Sequence, residues 1–158
     1  MDEDVIIDLA SDEYFMREAL RQALRAAEAD EVPVGVVIVR KGRVIARAHN
    51  QVETLKDATA HAEILAITQA SQAVGDWRLE GCTLYVTKEP CPMCSGAMVL
   101  ARLARVVFGV PDLKGGGAGG LLNIVDHPSL NHRLEIKGDV LRDPCMALLK
   151  DFFQGKRK

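Results

Sequence analysis

Thirty residues separate His61 from Cys91, and Cys94 follows three positions later. A fold that brings these side chains to one point gathers an imidazole and two thiolates. These are three ligands for a tetrahedral zinc ion, with the fourth position left to water as in a catalytic site. The spacing suffices for a helix, a loop, a strand and a return, so His61 and Cys91 are expected at two helix starts that face each other. Pro92 suits a first helical position and puts Cys91 and Cys94 on one turn, with both sulfurs on the same side. A helix N-terminus and a metal both favour thiolate over thiol. Glu63, two residues from His61, adds a carboxylate able to move the protons of a water molecule.

The same residues admit plainer readings. A Cys-x-x-Cys pair can be a redox couple, but a thioredoxin-type setting is missing here. A structural zinc site needs a fourth protein ligand, for which Cys82, Cys145, His127 and His132 remain; such a site has no use for Glu63. Cys82 and Cys145 read as ordinary buried thiols.

The elements around the motif follow from periodicity. Asp12 to Glu28 reads as a helix capped by Ser11, with Phe15, Met16, Ala19, Leu20, Ala23, Leu24 and Ala27 at helical spacing. Val32 to Val39, a turn at Lys41-Gly42, and Arg43 to Ala48 read as a hairpin. His61 to Ala73 is helical, with Ile64, Leu65 and Ile67 on its apolar side. Cys82 to Thr87 and Arg105 to Val110 are strands on either side of a helix from Pro92 to Leu100. Leu134 to Ile136 is a short strand, and Asp143 to Phe153 a last helix. The run from Lys114 to Gly120 reads as a mobile loop. It lacks the Gly-Lys-Ser/Thr and dinucleotide patterns of a phosphate cradle. Strands alternating with helices imply an α/β fold, one central mixed sheet flanked by helices.

The 158 residues suit one domain, 1–158, with a flexible segment at 1–11 and a basic tail at 154–158. An acidic start, no membrane-length apolar run, and four Cys with two in metal-type spacing point to the cytoplasm. The net charge of −2 argues against indiscriminate nucleic-acid binding. Yet residues 1–99 carry 10 Lys and Arg against 16 Asp and Glu, and residues 100–158 carry 10 against 6. Phosphate contact is therefore expected from the C-terminal third, unless Lys156 to Lys158 are a frayed, solvated end.

Longer stretches carry a resemblance: Val32 to Gly35, Ala60 to Ile64, Glu89 to Met98, Arg105 to Gly109, His127 to Arg133 and Asp151 to Phe153. From about Glu13 to Phe153 the chain resembles the bacterial-type tRNA-specific adenosine deaminases, a zinc deaminase family. Thr54 to Ala58, Pro111 and the glycines at 115–117 depart from the family form. The resemblance implies a cytidine deaminase-like three-layer fold, one zinc per subunit, a homodimer, and an active site completed near the dimer interface. Its substrate is the wobble adenosine of a tRNA anticodon loop, that of an arginine tRNA, turned out into the pocket and converted to inosine.

By motif position, His61, Cys91 and Cys94 would hold zinc and Glu63 would be catalytic. Asn50 would hydrogen-bond the base or its ribose, or else close the hairpin as a turn residue. Val34 would pack on the purine, and Ala62 and Pro90 would line the pocket. Asp112 and Lys114 would touch the RNA, Asp112 alternatively serving as a cap or turn, and Arg133 and the tail would reach phosphates. Zinc lowers the pKa of a bound water toward ~7, and Glu63 would serve first as base and then as acid. Two other functions fit the motif less well. A deaminase of free guanine, another free nucleobase or a nucleoside has no need of a basic C-terminal third. A non-catalytic zinc-containing RNA-binding subunit has no need of Glu63.

Overall fold

The structure, a computed structural model, describes residues 11–156. Five strands form one sheet in the order β2-β1-β3-β4-β5. They are β1 (Gly35–Arg40), β2 (Arg43–His49), β3 (Cys82–Lys88), β4 (Arg105–Val110) and β5 (Glu135–Lys137). β1 pairs antiparallel with both β2 and β3, while β3, β4 and β5 run parallel. The sheet is therefore mixed, as expected. Among the described residues, five helices flank it: α1 (Asp12–Glu28), α2 (Val52–Leu55), α3 (Ala62–Val74), α4 (Pro92–Leu100) and α5 (Arg142–Lys156).

Alternation along the strands sends side chains to opposite faces. Val36, Ile38, Leu84, Val86, Val106 and Phe108 meet α3 and α4 through Ala62, Ala66, Ala70, Cys94 and Met98. Val37, Val39, Tyr85 and Val107 meet α1 and α5 through Phe15, Met16, Ala19, Cys145 and Leu149. The result is three layers with an apolar core on each side of the sheet.

Two helical faces differ from their expected ones. The buried stripe of α3 is Ala62, Glu63, Ala66 and Ala70, with Ile64, Leu65 and Ile67 packed at its flanks. Alanine lets the helix lie close to β1 and β2, so the large side chains spread sideways. On α1, Gln22 and Ala26 are buried while Leu24 is 49% exposed. Gly35 packs directly on the α1 backbone at Ala19 and Ala23, and this contact sets which face turns inward.

Ser11 caps α1, its Oγ accepting from the Tyr14 N–H at 3.1 Å. One residue on, Asp12 ties the helix start to the sheet. Its carboxylate accepts from Arg105 Nη1 and Nη2, Tyr85 Oη and Lys137 Nζ, each at 2.8 Å. The Arg105 guanidinium holds the Asp12 carboxyl well below the usual carboxylate range. Of the expected terminal segments, residues 1–10 lie outside the described residues. Residues 154–156 continue α5, and Arg157 and Lys158 lie outside the description.

Candidate active site

Because β1 runs against β3, with Val36 opposite Val86, the start of β1 lies at the same end of the sheet as the close of β3. β4 closes at that end too, with Lys88 beside Val110. The carboxyl ends of parallel strands are where open α/β sheets bind ligands. Both metal-type segments are there. His61 is the N-cap of α3 and Cys91 the N-cap of α4; both have extended backbone, and neither side chain makes the usual capping bond to its helix. The imidazole and the thiol are free to point at each other.

They meet with Cys94. His61 Nδ1 lies 3.6 Å from Cys91 Sγ and 3.5 Å from Cys94 Sγ. Ordinary Zn–N and Zn–S bond lengths at a tetrahedral angle separate nitrogen from sulfur by about 3.6 Å, so the three donors fit one zinc ion. Among the described residues no other group of three or more His, Cys, Asp or Glu gathers in this way. The candidate fourth ligands are engaged elsewhere or remote. His132 bonds the Leu103 carbonyl, His127 accepts from the Ser129 N–H, and Cys82 and Cys145 are buried in the core.

Electrostatics agree with a site built for ions. The Cys91 thiol is lowered to about 5, chiefly by a hydrogen bond from Cys94, while Cys94 is raised by that same sharing and by burial. Two such thiols cannot both ionise cheaply without a cation, and a coordinated thiol is deprotonated outright. Glu63 is 4% exposed, and its Oε1 has no hydrogen-bond partner among the described residues. Burial pushes its carboxyl up to about 7. An orphaned carboxylate oxygen beside a three-ligand cluster is chemically expectant: it is held where it can bond to a water or to a substrate.

A cavity of about 800 Å³ opens onto His61, Ala62, Glu63 and Cys91. Val34, Asn50 and Asp112 line it, as their motif positions suggest. Asn50 stands on the cavity wall and is also the turn residue that closes the hairpin, its amide bonding the Val32 carbonyl at 3.3 Å and its Oδ1 accepting from the Val52 N–H at 3.4 Å. Asp112 is likewise a turn residue, accepting from the Lys114 and Gly115 N–H groups. Pro90, Lys114 and Arg133 are not on the cavity wall. Pro90 is buried and its carbonyl accepts from the Gly117 N–H at 2.7 Å; Lys114 is exposed; Arg133 is exposed and pairs with Asp126 at 2.6 Å.

Two buried carboxylates escaped the sequence reading. Glu31, 1% exposed, accepts from the Glu53 N–H, the Thr54 N–H and the Thr54 hydroxyl, and so holds α2 as one wall of the cavity. Glu89 organises the glycine-rich segment. The Asp112 N–H donates to its Oε1 at 2.9 Å, and the Ala118 and Gly120 N–H groups donate to its Oε2 at 3.0 and 2.8 Å. The segment expected to be mobile is thus bonded around a buried anion. A Cβ at Gly120 would stand 2.6 Å from Glu89 Oε1, so glycine is required there by close approach. Glu89→Gln places an amide where only acceptors fit. Urea unfolding should register a loss of about 1–3 kcal/mol; a change within about 0.5 kcal/mol would mean that the loop does not depend on this carboxylate.

The family model of the MafB19-like deaminases matches residues 10–157. A tRNA-specific adenosine deaminase of Bacillus subtilis is 50% identical over 95% of this chain and 93% of its own. The chain belongs to this deaminase family. A tRNA-specific adenosine deaminase of Aquifex aeolicus is 51% identical over 92% of this chain and 95% of its own. A solved structure of a deaminase studied for A-to-I editing at the tRNA wobble position superposes with a TM-score of 0.83 at 42% identity, covering 86% of this chain and 99% of that one. A guanine deaminase from Nitrosomonas europaea reaches a TM-score of 0.80 at 24% identity, over 94% and 88% of the two chains, which extends the likeness of fold alone. The expected cytidine deaminase-like, three-layer arrangement is therefore the observed one.

Proposed function

We propose that this protein is a zinc-dependent hydrolase that converts the wobble adenosine of a tRNA anticodon loop to inosine. The observation that carries the reading is the buried Glu63 carboxylate, whose Oε1 has no partner among the described residues, beside the His61–Cys91–Cys94 cluster. It is joined by 50% identity to a tRNA-specific adenosine deaminase across nearly the whole chain.

His61 Nδ1, Cys91 Sγ and Cys94 Sγ would hold the ion, beside the cavity onto which His61 and Cys91 open. Zinc bound there supplies a water of lowered pKa and charge stabilisation at the reacting carbon. Glu63 would take one proton of the attacking water as the water oxygen bonds to C6 of the adenine, and deliver it to ring N1. It then carries the second proton to the exocyclic nitrogen as the C6–N bond breaks and ammonia leaves. One carboxylate alternates between base and acid, and burial raises its carboxyl above the usual carboxylate range. Val34 packs on the purine, Asn50 offers its amide to the base or ribose, and Ala62 lines the floor, with Pro90 buried behind the wall. Asp112, Lys114 and Arg133 serve the surrounding RNA.

The finer features of the reading are proposals of the same kind. They are an arginine tRNA as substrate, a cytoplasmic setting, one deaminase domain over 1–158, and a homodimer. Among the described residues no helix is long and apolar enough to cross a membrane. Met93 and Leu100 on α4, with Leu113, Leu121 and Leu122, are exposed, an apolar surface suited to a second copy of the chain.

The test is a substrate comparison. An anticodon stem–loop with adenosine at the wobble position should be deaminated with a kcat/KM at least ~10²-fold above those of free adenosine and free guanine, because the remote parts of the RNA contribute binding. Efficient release of ammonia from free guanine, with the stem–loop inert, would replace this reading with a guanine deaminase.

A further inference from the structure

Two lysines line the cavity, and each is paired with an aspartate that also lines it. Lys88 Nζ lies 3.4 Å from Asp112, and Lys156 Nζ lies 2.7 Å from Asp30. The pairs differ in kind. The Asp112 carboxylate is committed to the turn it builds, accepting from two backbone N–H groups. The Asp30 carboxylate has no partner other than Lys156 among the described residues. Its side chain is 75% exposed and that of Lys156 is 50% exposed. Lys156 also stands over the Phe152 ring at 5.6 Å, on the same wall of the cavity.

Resting on the RNA reading above, we propose that Asp30 is a built-in competitor for the substrate phosphate that Lys156 binds. RNA entry would then exchange one carboxylate for one phosphate at the cavity mouth. Lys156 belongs to the basic C-terminal third and Asp30 to the acidic remainder, so the fold cancels the charge asymmetry at the place where a polyanion must enter. A surface ion pair of this exposure is weak and is readily displaced by a backbone phosphate, which presents several acceptor oxygens to the ammonium. Asp30 therefore sets a threshold: tightly pairing RNA pays it, and a free nucleoside, with no phosphate to offer, leaves the pair closed.

The geometry also supplies a clean variant. Asp30 sits at φ 62° just after α1, a left-handed position that aspartate and asparagine tolerate equally well. Asp30→Asn therefore removes the charge and keeps the turn. Binding of a wobble-adenosine stem–loop is measured by fluorescence anisotropy across a salt series, for the wild type, Asp30→Asn, Lys156→Met and the double variant. Thermal melting and zinc content confirm that all four are folded. Asp30→Asn should bind the stem–loop about fivefold more tightly at low salt, and should lose most of that gain when Lys156 is Met. Lys156→Met should lower the salt slope by about 1. An equal gain in both backgrounds would overturn the exchange and reduce Asp30 to a distant repelling charge; no gain in either would overturn it as well. A wild-type protein that neither binds nor deaminates the stem–loop would remove the RNA reading itself. A wild type that does both, without the coupling between Asp30 and Lys156, removes the exchange alone.

Discussion

Glu63→Gln should keep the fold and about one zinc per chain and lose deamination by at least ~10²–10⁴-fold, the usual weight of a general acid–base group. Glutamine has almost the same shape, so the first turn of α3 and the packing around Ala62 and Ala66 are undisturbed. What it lacks is the ability to accept a proton and give it back, and here one side chain is asked to do so twice. The carboxylate is 4% exposed with one oxygen unpartnered, and burial holds it near neutrality at about 7. The other carboxylates on the cavity wall are exposed or engaged: Glu53 is exposed and Asp30 is paired with Lys156. Glu31 and Glu89 spend their oxygens on backbone N–H groups, and Asp112 is paired with Lys88. The measurement is inosine formation at saturating RNA, with metal content determined on the same sample. Near wild-type turnover by a zinc-loaded Glu63→Gln variant would show that Glu63 is not the proton carrier.

Cys94→Ala should lose the metal, and activity with it. Cys94 is fully buried on the first turn of α4, 3.5 Å from His61 Nδ1. Its removal leaves two protein ligands where a catalytic zinc site uses three. Zinc by mass spectrometry should fall from about one per chain to near zero. Turnover should vanish and stay absent when zinc is added at levels that restore a chelated wild type. The stability cost should be modest, since alanine fills most of the thiol's place and Met98 and Val99 still pack the helix. Retention of a full equivalent of zinc at wild-type affinity would mean that the ion is held by a different ligand set, and a fourth protein ligand would make the site structural.

The legible part of this protein was the part enforced by spacing and periodicity. His61, Cys91 and Cys94 had to converge if they were ligands, and their donor atoms lie within 4.8 Å of one another. Helix and strand positions followed because Pro92 and Ser11 punctuate the chain and β-branched runs mark the strands. The burial of Ala62, Ala66 and Ala70 in preference to Ile64, Leu65 and Ile67 was not legible, because close approach to a sheet selects small residues against the hydrophobicity pattern. Nor were the roles of Glu31 and Glu89. A glutamate in sequence gives no sign that folding will surround it with backbone N–H groups more than twenty positions away. The glycine run from 115 to 120 read as looseness for the same reason. Gly116 and Gly120 leave space for the Glu89 carboxylate and the Asp112 carbonyl, and Gly117 for Ser95. The closure of the cavity by Phe152 and Lys156 depends on how α5 lies across the sheet, which no local pattern encodes.

The measurement that bears most directly on wobble deamination is nucleoside analysis of an arginine tRNA transcript after incubation with the zinc-loaded protein. Mass spectrometry of the digested RNA should find inosine at the wobble adenosine and at no other adenosine. None should form with Glu63→Gln or with a transcript carrying guanosine at that position. An unmodified transcript, recovered from a protein that holds its zinc and releases ammonia from a free base, would contradict the account.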